Sequence, residues 1–417
     1  MEPVDLFAIV LGVAVAIGCV NHRWVRLPPA IGMLLGSLLI ALLIVGSDRV
    51  LHLHAMGWIR DTLDAADLPN FFLDAALALL LFAGSLHVDV AELNRRRWLI
   101  LLLATASVII STMTFGAGLW ALLGLAGIAV PLVWCVLLGA ILAPTDAVVV
   151  ENLLRKAGLP PALRAAIVGE SLFNDGAGVV LFLLALGVTQ GDVVHFGHGQ
   201  VLLALAREIA GGACIGLVAG WLAALLLRAI HEQSLQLLIS LALVLCSYRL
   251  ALLFDLSGPI AVVAAGLRLG SPSPRLGLTP DTRAALIGFW SPLNQLLNTM
   301  LFLFMGLHIL GLIVKPVELI PIAFAVPLAI VSRLISVAVP LAFTRQSLGE
   351  KARAVTVLSW AGLRGGISIA LALTLPESPW RTTILVMTYA VVVFTIVVQG
   401  LTFARVLHAA YGKAKPA

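Results

Sequence analysis

Charge is scarce in this sequence. Asp, Glu, Lys and Arg make up only 11% of its 417 residues, against about 25% in soluble domains. With 61% apolar residues and a mean hydropathy of +1.09, the shortage excludes an ordinary soluble globule. The chain reads as a polytopic membrane protein, for which soluble-domain length rules do not apply. Cysteine is equally sparse. Cys19, Cys135, Cys214 and Cys246 lie scattered in apolar stretches with no CxxC or Cys/His spacing. That excludes a zinc site and predicts free, buried thiols. The N-terminal Met-Glu-Pro-Val-Asp lacks the basic region of a cleavable signal peptide. His22, His52, His54, His195, His198, His231 and His408 fall in or near loops, and His87 and His308 near helix ends. All are read as solvated. No His or Cys constellation supports an enzyme, and no cofactor is expected. The formal net charge of +5 reflects topology, not nucleic-acid binding.

What the chain does have is a series of apolar stretches long enough to cross a bilayer, mostly joined by short loops. Thirteen spans are predicted, near 4–20, 28–46, 70–88, 98–123, 131–151, 165–189, 200–227, 233–250, 255–270, 285–311, 316–343, 353–375 and 383–404. Little remains for an extramembrane domain, and the tail after Arg405 is short. Eighteen of the 26 Lys and Arg residues fall in the loops after odd-numbered spans and in the C-terminal tail. The opposite side holds Arg49, Arg60, Lys315 and Arg381, with the acidic loop Asp61–Asp67. The positive-inside bias therefore predicts an N-terminus outside and a C-terminus in the cytoplasm. Arg207 and Arg249 lie near predicted helix ends and can snorkel. Arg333 and Arg364 lie inside spans eleven and twelve and need buried partners.

An odd number of spans suggests six helices, a linker helix and six more, with the halves related by inverted topology. In that scheme span five pairs with span twelve, and both are interrupted: one by Ala143-Pro144-Thr145-Asp146, the other by Gly362-Leu363-Arg364-Gly365-Gly366. Paired broken helices at matching positions point to a transporter's midplane binding site.

Span six carries the densest polar cluster, Glu170-Ser171-Leu172-Phe173-Asn174-Asp175-Gly176. A charged side chain at mid-membrane costs roughly 3 kcal/mol, so such a cluster marks an ion or proton pathway by default. Glu170 and Asn174 share one helix face, and so do Ser171 and Asp175. Glu170 and Asp175 are five residues apart, roughly 140° around the axis. They can therefore serve different partners: one can pair with a buried arginine while the other stays free for a ligand. Counting the deep charges gives Asp146, Glu170 and Asp175 against Arg333 and Arg364, which leaves one carboxylate over. That carboxylate can be neutralised by a proton or by a monovalent cation, and competition between the two is the chemistry of an antiporter. Thr145, Ser171 and the carbonyls freed at the break supply neutral oxygens of the kind hard cations need. Each residue also has a plainer role open to it. Thr145 and Asp146 can cap the second half of a broken helix, Ser171 can simply fill space, and Arg364 can neutralise either carbonyls or Asp146. Asp74, on span three, can lie at the membrane edge.

The block Gly169 to Gly176, with its Asn174-Asp175 pair, resembles the monovalent cation/proton antiporter-1 family, the NhaP and NHE type of sodium/proton exchangers. Ala143 to Asp146 resembles that family's Thr-Asp-Pro crossover. Further matching blocks are Phe254 to Leu267, Leu296 to Leu307, Ser332-Arg333 and Gly362 to Gly366. They span most of the chain in the family's order. The resemblance implies an all-α NhaA-like fold in which crossed broken helices join two inverted six-helix repeats. It implies a single transmembrane antiporter domain over 1–417, with interleaved dimerisation and core parts and no soluble regulatory domain. It further implies a homodimer in a bacterial-type inner membrane, working by an elevator-like shift. Asp175 would bind Na⁺ and H⁺ in turn, with Asn174 stabilising the site and Thr145 and Ser171 offering ligands. Glu170 would pair with Arg333, and Arg364 would balance the crossover near Asp146. Two positions depart from the family: Ala147 replaces the proline usual after Thr-Asp, and Ala83 stands where many relatives carry an acidic residue.

The expected activity is electroneutral 1:1 exchange of Na⁺ or Li⁺ for H⁺ in pH and sodium homeostasis. K⁺/H⁺ exchange on the same fold is the nearest alternative, followed by a channel or ligand sensor.

Overall fold

The computed structural model describes residues 3–51, 76–88, 90–146, 161–190, 198–271, 278–308, 318–344 and 347–412. Asp74, Ala147 and the acidic loop Asp61–Asp67 lie outside them, as do Arg60, Arg155, Lys156, Arg275, Lys315, Arg345, Lys413, Lys415, His52, His54 and His195. Among the described residues the chain is helical, with no strand. The helices are α1 (Pro3–Val20), α2 (Pro29–Leu51), α3 (Leu77–Leu86), α4 (Val90–Arg95), α5 (Arg97–Ala104), α6 (Ala106–Leu125), α7 (Leu132–Ile141) and α8 (Pro161–Gln190). After these come α9 (His198–Ala229), α10 (Gln233–Leu253), α11 (Gly258–Gly270), α12 (Pro280–His308) and α13 (Leu319–Ala342). The chain finishes with α14 (Leu348–Trp360), α15 (Gly366–Leu373), α16 (Arg381–Phe394), a π turn over Thr395–Gln399 and α17 (Gly400–Tyr411).

Local sequence explains many of the ends. Proline opens α2, α8 and α12, where its missing N–H costs no helical bond. Ser257 caps α11 by accepting from the Ile260 N–H, with Pro259 in the first turn. Ser347 and Glu350 form a reciprocal capping box at α14. Eight helical stretches among the described residues are long and apolar enough to cross a membrane by length and composition. The polar α12, with Asn294, Gln295 and Asn298, is not among them, and neither is the broken pair α14 and α15.

The outside of the bundle is apolar: Leu42, Leu43, Leu125, Leu253 and Phe343 are all exposed. This corrects the expectation for the thiols. Cys135 is buried, but Cys19, Cys214 and Cys246 face outward. A thiol behaves as a small hydrophobe, and a lipid-facing surface accepts it as readily as a core does.

Two groups of helices pack around α8. In one, α9 lies against α11 and α10, and α11 lies against α3. In the other, α6 is held between α7 and α13, and α13 touches α14 and α16. Helix α8 touches both, meeting α7, α5 and α6 on one side and α11 and α3 on the other. The α9–α11 contact is backbone-close. A Cβ at Gly216 would overlap the Ala261 carbonyl oxygen, so only glycine fits, as in small-residue helix interfaces in membranes. Gly216→Ala is expected to destabilise the protein by about 1–3 kcal/mol through overpacking, read as a lower melting temperature of the detergent-purified protein.

His87 departs from the solvated reading. It is half-buried, with Nδ1 2.7 Å from the Ala83 carbonyl and Nε2 2.9 Å from Ser291 Oγ. It ties the end of α3 to α12, because a histidine at the C-cap can reach back to the last free carbonyls.

Candidate functional site

Both predicted interruptions are real breaks in helix. Helix α7 stops at Ile141, and residues 144–146 are not helical. Pro144 has no N–H to donate and biases Ala143 toward extended backbone. Helix α14 stops at Trp360, and α15 restarts at Gly366. Gly365 is extended, at φ −126° and ψ −162°, and a Cβ there would collide with the Asp146 carboxylate. The two unwound segments touch: the Asp146 N–H donates to the Leu363 carbonyl at 2.7 Å. Backbone groups freed in one break are thereby satisfied by the other, the condition for irregular backbone at membrane depth.

Arg364 secures the junction. Buried in the second break, its Nη1 donates to the carbonyls of Ala143 at 2.6 Å and Pro144 at 3.1 Å. Its own N–H donates to Thr395 Oγ1 at 3.1 Å, in the π turn after α16. A fixed positive charge thus sits on the carbonyl ends left open where α7 stops.

The continuous helix α8 runs past the junction. Asn174, fully buried, clamps the unwound strand. Its Nδ2 donates to Thr145 Oγ1 at 2.7 Å, and its Oδ1 accepts from the Thr145 N–H at 3.4 Å. Ser171 Oγ lies 3.0 Å from the same Thr145 hydroxyl. The structure therefore brings Thr145, Ser171 and Asn174 into one hydrogen-bonded unit.

The two carboxylates of α8 part company, as their angular offset requires. Glu170 is buried and holds Arg333 in a two-pronged ion pair, Nη1 to Oε1 and Nη2 to Oε2, the latter at 2.9 Å. Arg333 Nη2 also donates to the Leu358 carbonyl at 3.3 Å, which ties α8, α13 and α14 together. Asp175 is only 6% exposed, and its Oδ1 makes no hydrogen bond. It lines a cavity of about 60 Å³ with Thr145, Asp146, Gly84, Asn298 and Ser368. One water needs about 10–15 Å³ by a comparable measure, so a small cation and one or two waters fit. Asp146 is half-buried on the same cavity. The wall is otherwise apolar, with Leu77, Leu80, Leu81, Leu172 and Leu301. Such a chamber can hold a carboxylate that alternates between a proton and a cation.

Two wall residues, Asn298 and Ser368, are not among the site residues expected from sequence, Asn298 entering there only within the Leu296 to Leu307 block, because a lone Asn or Ser in an apolar helix usually bonds its own backbone. Asn298 does so, its Nδ2 donating to the Asn294 carbonyl at 2.8 Å. The signal available for Ser368 was its place two residues after the Gly365-Gly366 break. Ala83 is buried away from the cavity, and its neighbour Gly84 lines the wall.

Comparison with known proteins shows the family and the fold. The family model described as sodium/hydrogen exchanger, transmembrane, matches residues 10–409. The chain is 35% identical to the Na(+)/H(+) antiporter NhaP of Pseudomonas aeruginosa, over 98% of this chain and 97% of the relative. It is 32% identical to the Na(+)/H(+) antiporter NhaH of Halobacillus aidingensis, over 79% and 81%. Its fold is similar to that of the sodium proton antiporter MjNhaP1 from Methanocaldococcus jannaschii, with a TM-score of 0.75, 20% identity and 97% of each chain covered.

Proposed function

Because the chain belongs to the sodium/hydrogen exchanger family, we propose that it exchanges Na⁺ or Li⁺ for H⁺, one for one, at Asp175. The observation that carries this reading is the buried Asp175 carboxylate, whose Oδ1 lacks a hydrogen bond and which faces a cavity shared with Thr145 and Asp146. Cation and proton compete for that carboxylate. The cation completes its shell with neutral oxygens from Thr145 and the opened backbone and with Asp146 on the same cavity, while Ser171, beside the Thr145 hydroxyl, offers a further oxygen. Asn174 holds the unwound strand in place. Glu170 and Arg333 neutralise each other and set helix packing, while Arg364 compensates the open carbonyls. The transported ions are substrates, and the protein needs no cofactor.

The remaining architecture follows from the same reading. Thirteen spans form two inverted halves around the touching breaks, in a single domain over 1–417. The two helix groups support interleaved dimerisation and core parts, with the protein working as a homodimer. Sliding of the group that holds the breaks past the other would carry Asp175 from one face to the other. The basic loops support an inner-membrane orientation with the N-terminus outside and the C-terminus in the cytoplasm, in a role in sodium and pH homeostasis.

Purified protein in proteoliposomes tests this. Addition of Na⁺ or Li⁺ is expected to dequench a trapped pH dye at a rate that an imposed membrane potential does not change. One net-neutral carboxylate cycle predicts that indifference. A potential-driven current at saturating Na⁺ would contradict 1:1 exchange. A response to K⁺ in place of Na⁺ would reassign the cation, and cation flux without proton movement would mark a channel.

A further inference from the structure

We propose that Ser368 supplies a further oxygen ligand to the transported cation and helps set its affinity. The inference rests on the Asp175 reading above and extends it to the second broken helix. Ser368 is 1% exposed and lines the same cavity as Asp175, Asp146 and Thr145. Its hydroxyl makes no hydrogen bond.

Ser37, Ser85, Ser240, Ser247, Ser332 and Ser336 each donate to the carbonyl three residues back. Ser107 and Ser359 are buried and unpaired like Ser368, but neither lines this cavity. The six self-satisfied serines have a complete helical turn behind them. Behind Ser368 stands the unwound Leu363–Gly365 segment, so the usual acceptor is out of line. An unsatisfied buried hydroxyl is a cost to folding. Alanine at this position would remove that cost and still fit the helix.

The chemistry of the wall says what the hydroxyl is for. Asp175 and Asp146 supply negative charge to the cavity, and a hard cation held there also needs neutral oxygens. A serine oxygen has two lone pairs to offer the cation, while its proton can turn to a carboxylate. Thr145 already shares its hydroxyl with Asn174 and Ser171. Among the described cavity-lining side chains that offer a hydroxyl, Ser368 is the one without such a commitment.

The test compares wild type, Ser368→Ala, Ser368→Thr and Asp175→Asn in proteoliposomes, with melting temperatures measured with and without Na⁺. Ser368→Ala is expected to raise the Na⁺ concentration for half-maximal exchange about tenfold, the scale of one lost contact to a charged group. Its maximal rate should fall far less. Without Na⁺ its melting temperature should match or exceed wild type, since no hydrogen bond is lost. Added Na⁺ should stabilise it less than wild type. Ser368→Thr keeps the oxygen and should recover most of the affinity. An unchanged Na⁺ dependence in Ser368→Ala overturns the proposal. So does a lower melting temperature without Na⁺, or an equal loss in the Ala and Thr variants, either of which makes the residue a packing element. Normal exchange by Asp175→Asn would instead remove the site reading itself, whatever Ser368 does.

Discussion

Glu170→Gln is expected to lower stability by about 3–5 kcal/mol. Glu170 and Arg333 are both buried, and each carboxylate oxygen accepts from one end of the guanidinium. The amide keeps one acceptor but presents an N–H₂ group to the other guanidinium nitrogen, so one donor meets another. Arg333 then retains full charge in a low-dielectric interior. Besides that one amide oxygen it keeps a 3.3 Å bond to the Leu358 carbonyl, and its Nε has no partner. The loss should appear as a large drop in the melting temperature of the detergent-purified protein. Removing both charges with apolar residues of similar size should cost far less, because breaking a buried pair is what strands a charge. The fraction of Glu170→Gln that remains folded should still exchange. Full stability in this variant would mean that the pair contributes nothing to packing. A stable but inactive variant would move Glu170 from the scaffold into the transport site.

Asp175→Asn is expected to reduce exchange to background with little loss of stability. The amide has the same shape, yet it cannot give up a proton or offer negative charge to a cation. Its removal also relieves the fold of a buried carboxylate whose Oδ1 has no hydrogen bond. The two substitutions on α8 therefore separate cleanly. One strands an arginine and injures the scaffold, while the other spares the scaffold and stops the cycle. Proteoliposome exchange together with melting curves distinguishes them. Near-normal exchange by Asp175→Asn would place the essential carboxylate elsewhere.

Much of this was legible in the sequence because a membrane makes polar residues conspicuous. Five-residue spacing on a helix separated Glu170 from Asp175 before any contact was known. Pro144 and the Gly362 to Gly366 run marked the breaks by backbone chemistry alone. What pairing alone left open was how each charge is compensated. Arg364 could face carbonyls or a carboxylate, and the hydrogen bonds to Ala143 and Pro144 come from the fold. Ser368 and Asn298 were hidden because hydroxyl and amide side chains are common in apolar helices and usually satisfy themselves. The outward cysteines were misread because burial rules for soluble proteins reverse at a lipid-facing surface. His87 was misread because its partner Ser291 lies 204 residues away, a contact that only tertiary structure supplies.

The central claim is that one carboxylate is shared between a cation and a proton. Na⁺ added to weakly buffered, detergent-solubilised protein reads that sharing directly, with released protons counted against bound Na⁺. At a pH where the unliganded site is protonated, wild type should release about one proton per Na⁺ bound, as linkage requires of one site that holds either ion. Asp175→Asn should release none. Equal release from the two proteins would contradict the account.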